Sequence, residues 1–221
     1  MEKETTIYEK PSVTVDLIVL TIEDEKLKVL MVKRSQEPFK NQLALPGVFV
    51  GISETLEEAA KRGLSEETKL ENIYMEQLYT WGAINRDPRS RIISVSYMAL
   101  VPKDKVCPQV GKRVSEVGLF PVEELLSKKE EIAFDHGEMI AYAVERIRNK
   151  VEYTPIAFEM VGEEFTLPQL QKVYEIILGK PLYKANFRKK IIHQVEETGA
   201  MTEGESHRPS KIYRKAETKR L

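Results

Sequence analysis

The chain has little cysteine, little tryptophan and almost no net charge. Its 221 residues include one cysteine and one tryptophan, and 34 Lys and Arg are balanced by 35 Asp and Glu. A single cysteine, Cys107, excludes a disulfide within the chain and is typical of a reducing compartment. The length and a hydrophobic content of 42% suit one large domain or two small ones.

Long apolar runs are also missing. No stretch approaches the ~18 consecutive apolar residues of a membrane-spanning helix. The opening segment MEKETTIYEK has no apolar region of the kind that signal peptides carry. We therefore expect a cytoplasmic protein with no membrane partner.

The small net charge conceals two segments of opposite sign. Residues 169–221 carry 12 Lys and Arg against 6 Asp and Glu, a net of +6, whereas the first 168 residues carry 22 against 29, a net of −7. A basic C-terminal segment indicates an anionic partner. A solvated basic tail explains the same charge, so composition leaves both interpretations open.

The first 150 residues mix strand and helix patterns. Strands are predicted at 12–21, 27–34, 43–45, 72–82, 91–101 and 116–120, and helices at 55–68 and 121–127. Leu56, Ala59, Ala60 and Leu64 lie on one side of the first helix. Such a mixture predicts a layered α/β domain.

The pattern changes after Phe134. A helix is predicted at 134–150, an extended segment at 151–161, and an amphipathic helix between an N-cap at Thr166 and a C-cap at Gly179. Its apolar face is Leu167, Leu170, Val173, Tyr174 and Ile177. A second helix is predicted at 186–199, burying Phe187, Ile191 and Val195 and ending at Gly199, and two short strands follow. Helix, helix and β-hairpin together are the outline of a winged helix-turn-helix.

The predicted helix at 55–68 and the turn before it are crowded with carboxylates: Glu54, Glu57, Glu58, Glu66 and Glu67. Positions 63, 66 and 67 share a helical face. Clustered carboxylates on one face suit hard cations such as Mg²⁺. A solvated acidic helix is the commoner reason for such a cluster, and the carboxylates alone favour it.

The flanking residues resemble the Nudix box, G-x5-E-x7-R-E-U-x-E-E-x-G-U, where U is aliphatic. The matching residues are Glu54, Arg62, Leu64, Glu66, Glu67 and Leu70. Val48, Gly63 and Lys69 depart from the pattern. The later segment AINRDPRSRIISVSYMALV resembles the strand–loop–strand of ADP-ribose-type Nudix proteins. The resemblance implies a Nudix α/β/α sandwich with a mixed sheet, which we assign to residues 1–152.

Gly63 replaces a residue that matters for catalysis in the Nudix family. In active Nudix hydrolases the Glu after the box Arg is a principal metal ligand, alongside those that correspond to Glu66 and Glu67. Loss of a supporting partner alone commonly lowers metal affinity or activity by about 10–100-fold. We therefore expect no catalytic residues, no required cofactor, and at most weak metal binding by Glu66 and Glu67. The alternative is a working Mg²⁺-dependent ADP-ribose-type pyrophosphatase in which another carboxylate completes the site.

The C-terminal residues resemble the DNA-binding domain of the Nudix-related transcriptional regulators, which include the NAD-biosynthesis repressor NrtR and the arabinose regulator AraR. The resembling segments are AFDHGEMIAYAVERIR, FTLPQLQKVYEIILGKPLYKANFRKK and HRPSKIYR, with His207 and Ser210 as departures in the wing. The resemblance implies a winged helix at residues 153–221, double-stranded operator DNA as a partner, and a homodimer. The predicted DNA-binding residues are Asn186, Arg188, Lys189, Lys190, Arg208 and Lys211.

The Nudix half is then expected to bind an effector without cleaving it. The resemblance implies ADP-ribose, or a sugar or sugar phosphate, as the effector. The predicted effector-binding residues are Arg34, Phe39, Arg86, Arg89 and Arg91, since guanidinium groups bind phosphates through forked hydrogen bonds. Alternatively, Asp87–Pro88 makes a turn and these arginines pair with nearby acids. His136 is interpreted as a helix cap, and Tyr79 and Trp81 as core or dimer residues.

Overall fold

The structure is a computed structural model and describes residues 9–68, 73–106, 114–202 and 209–216. The strands are β1 Ser12–Glu23, β2 Lys26–Arg34, β3 Leu43–Ala44, β4 Gly47–Phe49, β5 Tyr74–Trp81, β6 Ile92–Leu100, β7 Val114–Pro121, β8 Phe165–Thr166, β9 Val195–Met201 and β10 Lys211–Lys215. The helices are α1 Leu56–Thr68, α2 Val122–Ser127, α3 His136–Lys150, α4 Leu167–Leu178 and α5 Lys184–Ile191.

The N-terminal part is a mixed sheet between helices. Its strands run in the order β3-β2-β1-β6-β5, with β4 paired to β1 and β7 to β2. β1 and β6 are parallel and the other pairs are antiparallel. Leu17 and Val19 of β1 pack in the cluster that contains α1, while Ile18 and Leu20 pack in the cluster that contains α3. Both sheet faces are therefore covered, which confirms the predicted α/β/α sandwich.

The C-terminal part combines two helices with a small antiparallel sheet in the order β8-β10-β9. Thr166 caps α4 in a capping box with Gln169, and Gly179 ends it in the left-handed conformation at φ 67°. The predicted apolar face of α4 is buried, as are Phe187 and Ile191 of α5. The predicted winged helix is confirmed.

Two local predictions were wrong. Residues 151–161 are not extended: a turn leads into a 3-10 helix at Ile156–Met160, whose apolar side chains are buried in the main core. The helix predicted to reach Gly199 ends at Ile191, and residues 195–201 form β9 because Val195 pairs with Lys215 of β10. Gly199 lies inside that strand at φ 84° and is not a helix cap.

The two parts share one core. A single cluster of buried side chains extends from β1 through α3 to α4, α5 and β10. The predicted boundary between residues 152 and 153 lies in the turn after α3 and stays a prediction. In the described part of the chain, no helix has both the length and the apolar content to span a membrane.

Candidate functional site

The acidic helix α1 begins with a capping arrangement that uses one of its carboxylates. The Thr55 backbone N–H donates to Glu58 Oε2 at 2.7 Å, and the Glu58 N–H donates to Thr55 Oγ1 at 3.2 Å. This reciprocal pattern is that of a capping box. The pKa of Glu58 is lowered because the Thr55 backbone N–H and the Thr55 hydroxyl, at 2.9 Å, both donate to its carboxylate. Glu58 therefore helps to cap the N-terminus of α1.

Arg62 binds two further carboxylates of the box. Its Nη2 lies 2.7 Å from Glu54 Oε1 and its Nη1 lies 3.4 Å from Glu66 Oε1. Glu54 also accepts from the Gly51 N–H at 2.6 Å, and Arg62 donates to the Phe49 carbonyl oxygen at 3.0 Å. Hydrogen bonds from Arg62 and then from Gly51 lower the pKa of Glu54. The guanidinium thus ties the helix to the loop before it.

Gly63 lies on the buried side of α1, against β1 and β4. The side chain of Glu67 lies outside the described residues, so its predicted metal role remains untested. In the part of the chain that the structure describes, no three His, Cys, Asp or Glu side chains gather in a way that could hold a metal ion.

Three of the five predicted effector residues meet around an aromatic ring that the sequence did not single out. Arg34 lies over the Phe134 ring with its guanidinium carbon 4.8 Å from the centroid, and Arg89 lies at 5.6 Å. Phe39 packs edge-on against the same ring at 4.7 Å. Arg89 also lies 5.8 Å from the centroid of Phe49. We call Arg34, Phe39, Phe49, Arg89 and Phe134 the arginine–aromatic cluster.

Two features of this cluster are unfavourable in the isolated protein. Phe39 and Phe134 adopt φ of 63° and 56°, a left-handed conformation that bulky residues rarely take. Burial, and then the charge of Arg89, lower the pKa of Arg34. An anion beside the two guanidinium groups would relieve that repulsion, so the charges suit an anionic ligand.

Arg86 and Arg91 are engaged with the protein itself. Arg86 is buried and binds Asp135 through two hydrogen bonds of 2.8 and 2.6 Å, with Asp16 at 3.6 Å. Burial alone would lower the pKa of Arg86, but the bonds and charge of Asp135 raise it. Arg91 donates to the Ala83 carbonyl oxygen at 3.0 Å. Both arginines therefore hold the loop before β6.

Arg89 also pairs with a nearby acid, as the alternative interpretation of this loop expected. Its Nη2 lies 2.6 Å from Asp87 Oδ2. Its side chain nevertheless stays 43% exposed and faces two aromatic rings. An ion pair with Asp87 orients Arg89 and leaves part of it accessible to a ligand.

An open cleft of about 500 Å³ adjoins the buried Arg86 pair. Its lining residues are Trp81, Ala83, Ile84, Asn85, Arg86, Asp135 and Glu138. Next to it Tyr79 and Tyr142 lie 5.5 Å apart, centroid to centroid, and Tyr79 is 51% exposed. Trp81 is half-buried and donates to Ser96 at 3.0 Å. Tyr79 is thus a surface residue, not a core residue.

His136 does not cap its helix. The N-cap of α3 is Asp135, whose side chain makes no capping bond. The imidazole is buried, and its Nδ1 accepts from the Leu45 backbone N–H at 2.9 Å. Burial lowers the pKa of His136. The ring therefore fixes the loop before β4 to the start of α3.

The basic helix α5 exposes the residues expected to read DNA. Asn186, Arg188 and Lys189 are exposed, while Phe187 and Ile191 on the opposite side are buried. The side chains of the two cations have no hydrogen-bond or ion-pair partner among the described residues.

Two residues at the start of α5 extend this surface and were not among the predicted ones. Tyr183 is 85% exposed, and Lys184 next to it is also exposed. Lys184 lies one turn before the exposed Arg188, and that spacing was the signal in the sequence that could have found it.

The other predicted DNA-binding residues are placed differently. Lys190 donates to the Glu152 carbonyl oxygen at 3.0 Å and lies over the Tyr174 ring at 5.6 Å. Lys211 pairs with Glu197 at 2.8 Å. Arg208 lies outside the described residues. Arg188 and Lys189 thus remain the predicted cations most available to an anionic partner.

Two protein families match the chain. The NUDIX domain matches residues 11–143, and the NrtR DNA-binding winged helix domain matches residues 157–215. A relative from Acinetobacter baylyi, the ADPR responsive transcriptional repressor NtrR, is 35% identical over 94% of this chain and 83% of its own length. An ADP-ribose pyrophosphatase from Methanocaldococcus jannaschii is 34% identical over 62% of this chain and 76% of its own.

Solved structures match both domains together and the first domain separately. Shewanella oneidensis NrtR in complex with a 27mer DNA has a TM-score of 0.82 at 35% identity, covering 92% of this chain and 93% of the other. The NUDIX domain of the same protein, complexed with ADP ribose, has a TM-score of 0.57 at 37% identity, covering 63% of this chain and 90% of the other. The first of these matches therefore extends over nearly the whole chain.

Proposed function

Since the chain belongs to the Nudix-related transcriptional regulators with an NrtR winged helix domain, we propose that it is an ADP-ribose-responsive transcriptional repressor. The observation that carries the proposal is the exposed basic face of α5, which has no partner among the described residues, in a chain that matches a repressor over 94% of its length. A helix of this kind enters the major groove and contacts phosphates and base edges.

The proposed effector site is the arginine–aromatic cluster. ADP-ribose carries a pyrophosphate and an adenine ring, which suit guanidinium groups and aromatic faces respectively. Arg34, Phe39 and Arg89 are the predicted residues that support this assignment, and Phe134 joins them. Arg86 and Arg91 support the site indirectly, by holding the loop that carries Arg89.

Helix α3 offers a physical connection between effector and DNA. It begins at Asp135 and His136, directly after Phe134 of the cluster. Its far end meets the winged helix: Arg148 donates to the Ile177 carbonyl oxygen at 3.1 Å, and Glu152, just beyond the helix, accepts from Lys190 of α5. A shift of α3 on ligand binding would therefore move α5. Allosteric coupling requires such a difference between the liganded and the unliganded state.

The proposed regulator is a homodimer in the cytoplasm. Major-groove readers of this type bind pseudo-palindromic sites as symmetric dimers. The exposed rings of Tyr79, on the edge strand β5, and of Tyr142, on α3, support a subunit contact on that face.

DNA binding and effector release together test the proposal. A labelled duplex from upstream of the chain's own operon should bind with an affinity that falls steeply with salt, and ADP-ribose should release it. Arabinose and ribose 5-phosphate serve as comparators, because release by one of them identifies a sugar-type effector. A protein that fails to bind this DNA in a salt-sensitive way is not the proposed regulator.

A second candidate function is Mg²⁺-dependent hydrolysis of ADP-ribose. It is supported by the retained Glu54, Arg62 and Glu66 and by the similarity to an ADP-ribose pyrophosphatase. Release of AMP from ADP-ribose at an ordinary enzymatic rate would establish it and would overturn the proposal that the ligand is kept uncut. We expect no such release.

A further inference from the structure

Two departures from the Nudix box are neighbours in space. Val48 of β4 stands where the box has its first Gly, and Gly63 of α1 stands where it has the Glu after Arg62. A Cβ added at Gly63 would lie 3.2 Å from both γ-methyl groups of Val48 and 3.3 Å from Leu17 Cδ1. All three distances are shorter than ordinary van der Waals contact. Position 48 carries a side chain that the box does not have, and position 63 is without the side chain that the box requires.

The residues at this place do not fit a divalent cation. Mg²⁺ takes oxygen ligands in near-octahedral geometry. The three atoms nearest to a Cβ at position 63 are methyl carbons of Val48 and Leu17. Glu54 and Glu66 are both ion-paired with Arg62. Among the described residues, the missing donor and these apolar neighbours therefore oppose a metal site.

We propose that Val48 and Gly63 are one coupled substitution, in which the valine fills the volume that the side chain at position 63 would otherwise occupy. The coupling rests on the proposed function, in which the ligand is bound and not cleaved. Core packing is dense, so a side chain removed at one position leaves a void unless its neighbour grows. The coupling also explains a glycine inside a helix, where glycine is disfavoured.

The first test is a thermal-stability cycle in the full-length protein. Gly63→Ala should lower the melting temperature, although alanine is the better helix former, because its methyl group meets Val48. In the Val48→Ala background the same change should be neutral or stabilising. Ser65→Ala, on the same helix but away from Val48, is the matched control and should have the same effect in both backgrounds. Equal effects of Gly63→Ala in both backgrounds would overturn the proposal.

The second test is Mg²⁺-dependent AMP release from ADP-ribose. Gly63→Glu alone should stay near the wild-type rate, whereas Val48→Gly/Gly63→Glu should exceed it by at least about 10-fold, the lower bound for restoring a metal-site partner. If Val48→Gly destabilises β4, Val48→Ala/Gly63→Glu is used in place of Val48→Gly/Gly63→Glu. Ser65→Glu controls for the effect of an added carboxylate. A single variant as active as the double, or a folded double variant no faster than the single, overturns the coupling.

The two tests separate this inference from the proposed function. If the wild-type protein itself hydrolyses ADP-ribose at an enzymatic rate, the proposed function fails, and the thermal-stability cycle alone tests the coupling. If the wild-type protein is inactive and the effects of the two substitutions on the melting temperature are additive, the coupling fails and the regulator proposal stands.

Discussion

The acidic helix α1 and the basic helix α5 use their charges in opposite ways. In α1, Glu57 pairs with Lys61 at 2.6 Å, and Arg62 bridges Glu54 and Glu66. In α5, Arg188 and Lys189 have no ion-pair partner among the described residues and face solvent. Charges that are satisfied within the protein stabilise or orient it. Cationic charges left unsatisfied are available to an anionic partner.

A difference in exposure separates the arginines of the effector region. Arg86 is buried and paired with Asp135. Arg34, which donates to the Pro38 carbonyl oxygen, and Arg89, which pairs with Asp87, stay partly exposed over aromatic rings. Removal of Arg86 should therefore lower the stability of the protein, whereas removal of Arg34 or Arg89 should weaken ligand binding.

Loss of the Arg86 pair has the largest expected effect. Arg86→Ala leaves Asp135 and Asp16 without their buried partner, which should lower the free energy of unfolding by about 3–5 kcal/mol. Urea denaturation measures the change. Lys129→Ala, which removes an exposed surface cation far from this loop in the sequence, is the control and should stay within about 0.5 kcal/mol of the wild type. Equal stability of the two variants would contradict the assigned role of Arg86.

Removal of the exposed cations of α5 should have the opposite signature. Arg188→Ala/Lys189→Ala should weaken operator binding by about 100-fold, and the slope of log affinity against log salt should become shallower by about one unit for each phosphate that is no longer neutralised. The melting temperature should not change. Fluorescence anisotropy with labelled duplex measures the affinity, and Lys172→Ala, whose ammonium pairs with Glu25 at 2.8 Å in the wild type, is the control. Full binding by the double variant would place the DNA surface elsewhere.

Arg34 tests the effector site by itself. Arg34→Ala removes a charged hydrogen-bond donor, so ADP-ribose should bind about 10–100-fold more weakly. DNA binding without effector should be unchanged. Calorimetric titration measures the affinity, with Arg146→Ala as a control on α3, where the side chain faces Glu76. A wild-type affinity for ADP-ribose in the Arg34 variant would exclude the arginine–aromatic cluster as the site.

His136 gives the smallest predicted effect, a dependence of stability on pH. Burial lowers its pKa, so the folded state stays neutral at a pH where the unfolded chain, near pKa 6.5, binds a proton. The unfolded state then binds more protons, and stability should fall as pH drops below about 6.5, by about 1 kcal/mol between about pH 7 and 5.5. Urea denaturation at these pH values measures it. His136→Gln should remove the dependence, whereas the exposed His193→Gln should keep it.

Most of the fold could be predicted because its signals are local. The alternation in β1, the capping residues Thr166 and Gly179, and the apolar face of α4 are all read from neighbouring positions. The end of α5 could not be predicted in this way, because an apolar Val195 would be buried whether its segment formed a helix or a strand. Its pairing with Lys215 decides between them.

The candidate site was predicted only in part. Arginines and a phenylalanine are recognisable by residue type, so Arg34, Phe39 and Arg89 were named as effector residues. They meet in one cluster, and their role in ligand binding stays a prediction. Phe134 was missed because its role depends on three segments that are far apart in the chain. Arg86 was named as a ligand residue, and its burial against Asp135 could not be read from the sequence.

The sequence by itself determined the two domains, their order and the presence of a degenerate Nudix box, because periodicity, caps and motif spacing are properties of the chain. Only the tertiary structure decided which charges are paired and which side chains surround position 63. Whether a side chain is paired, or has room for another methyl group, depends on atoms brought together by β4 packing on α1 and by α3 joining the two domains. Such contacts leave no signal at either position alone.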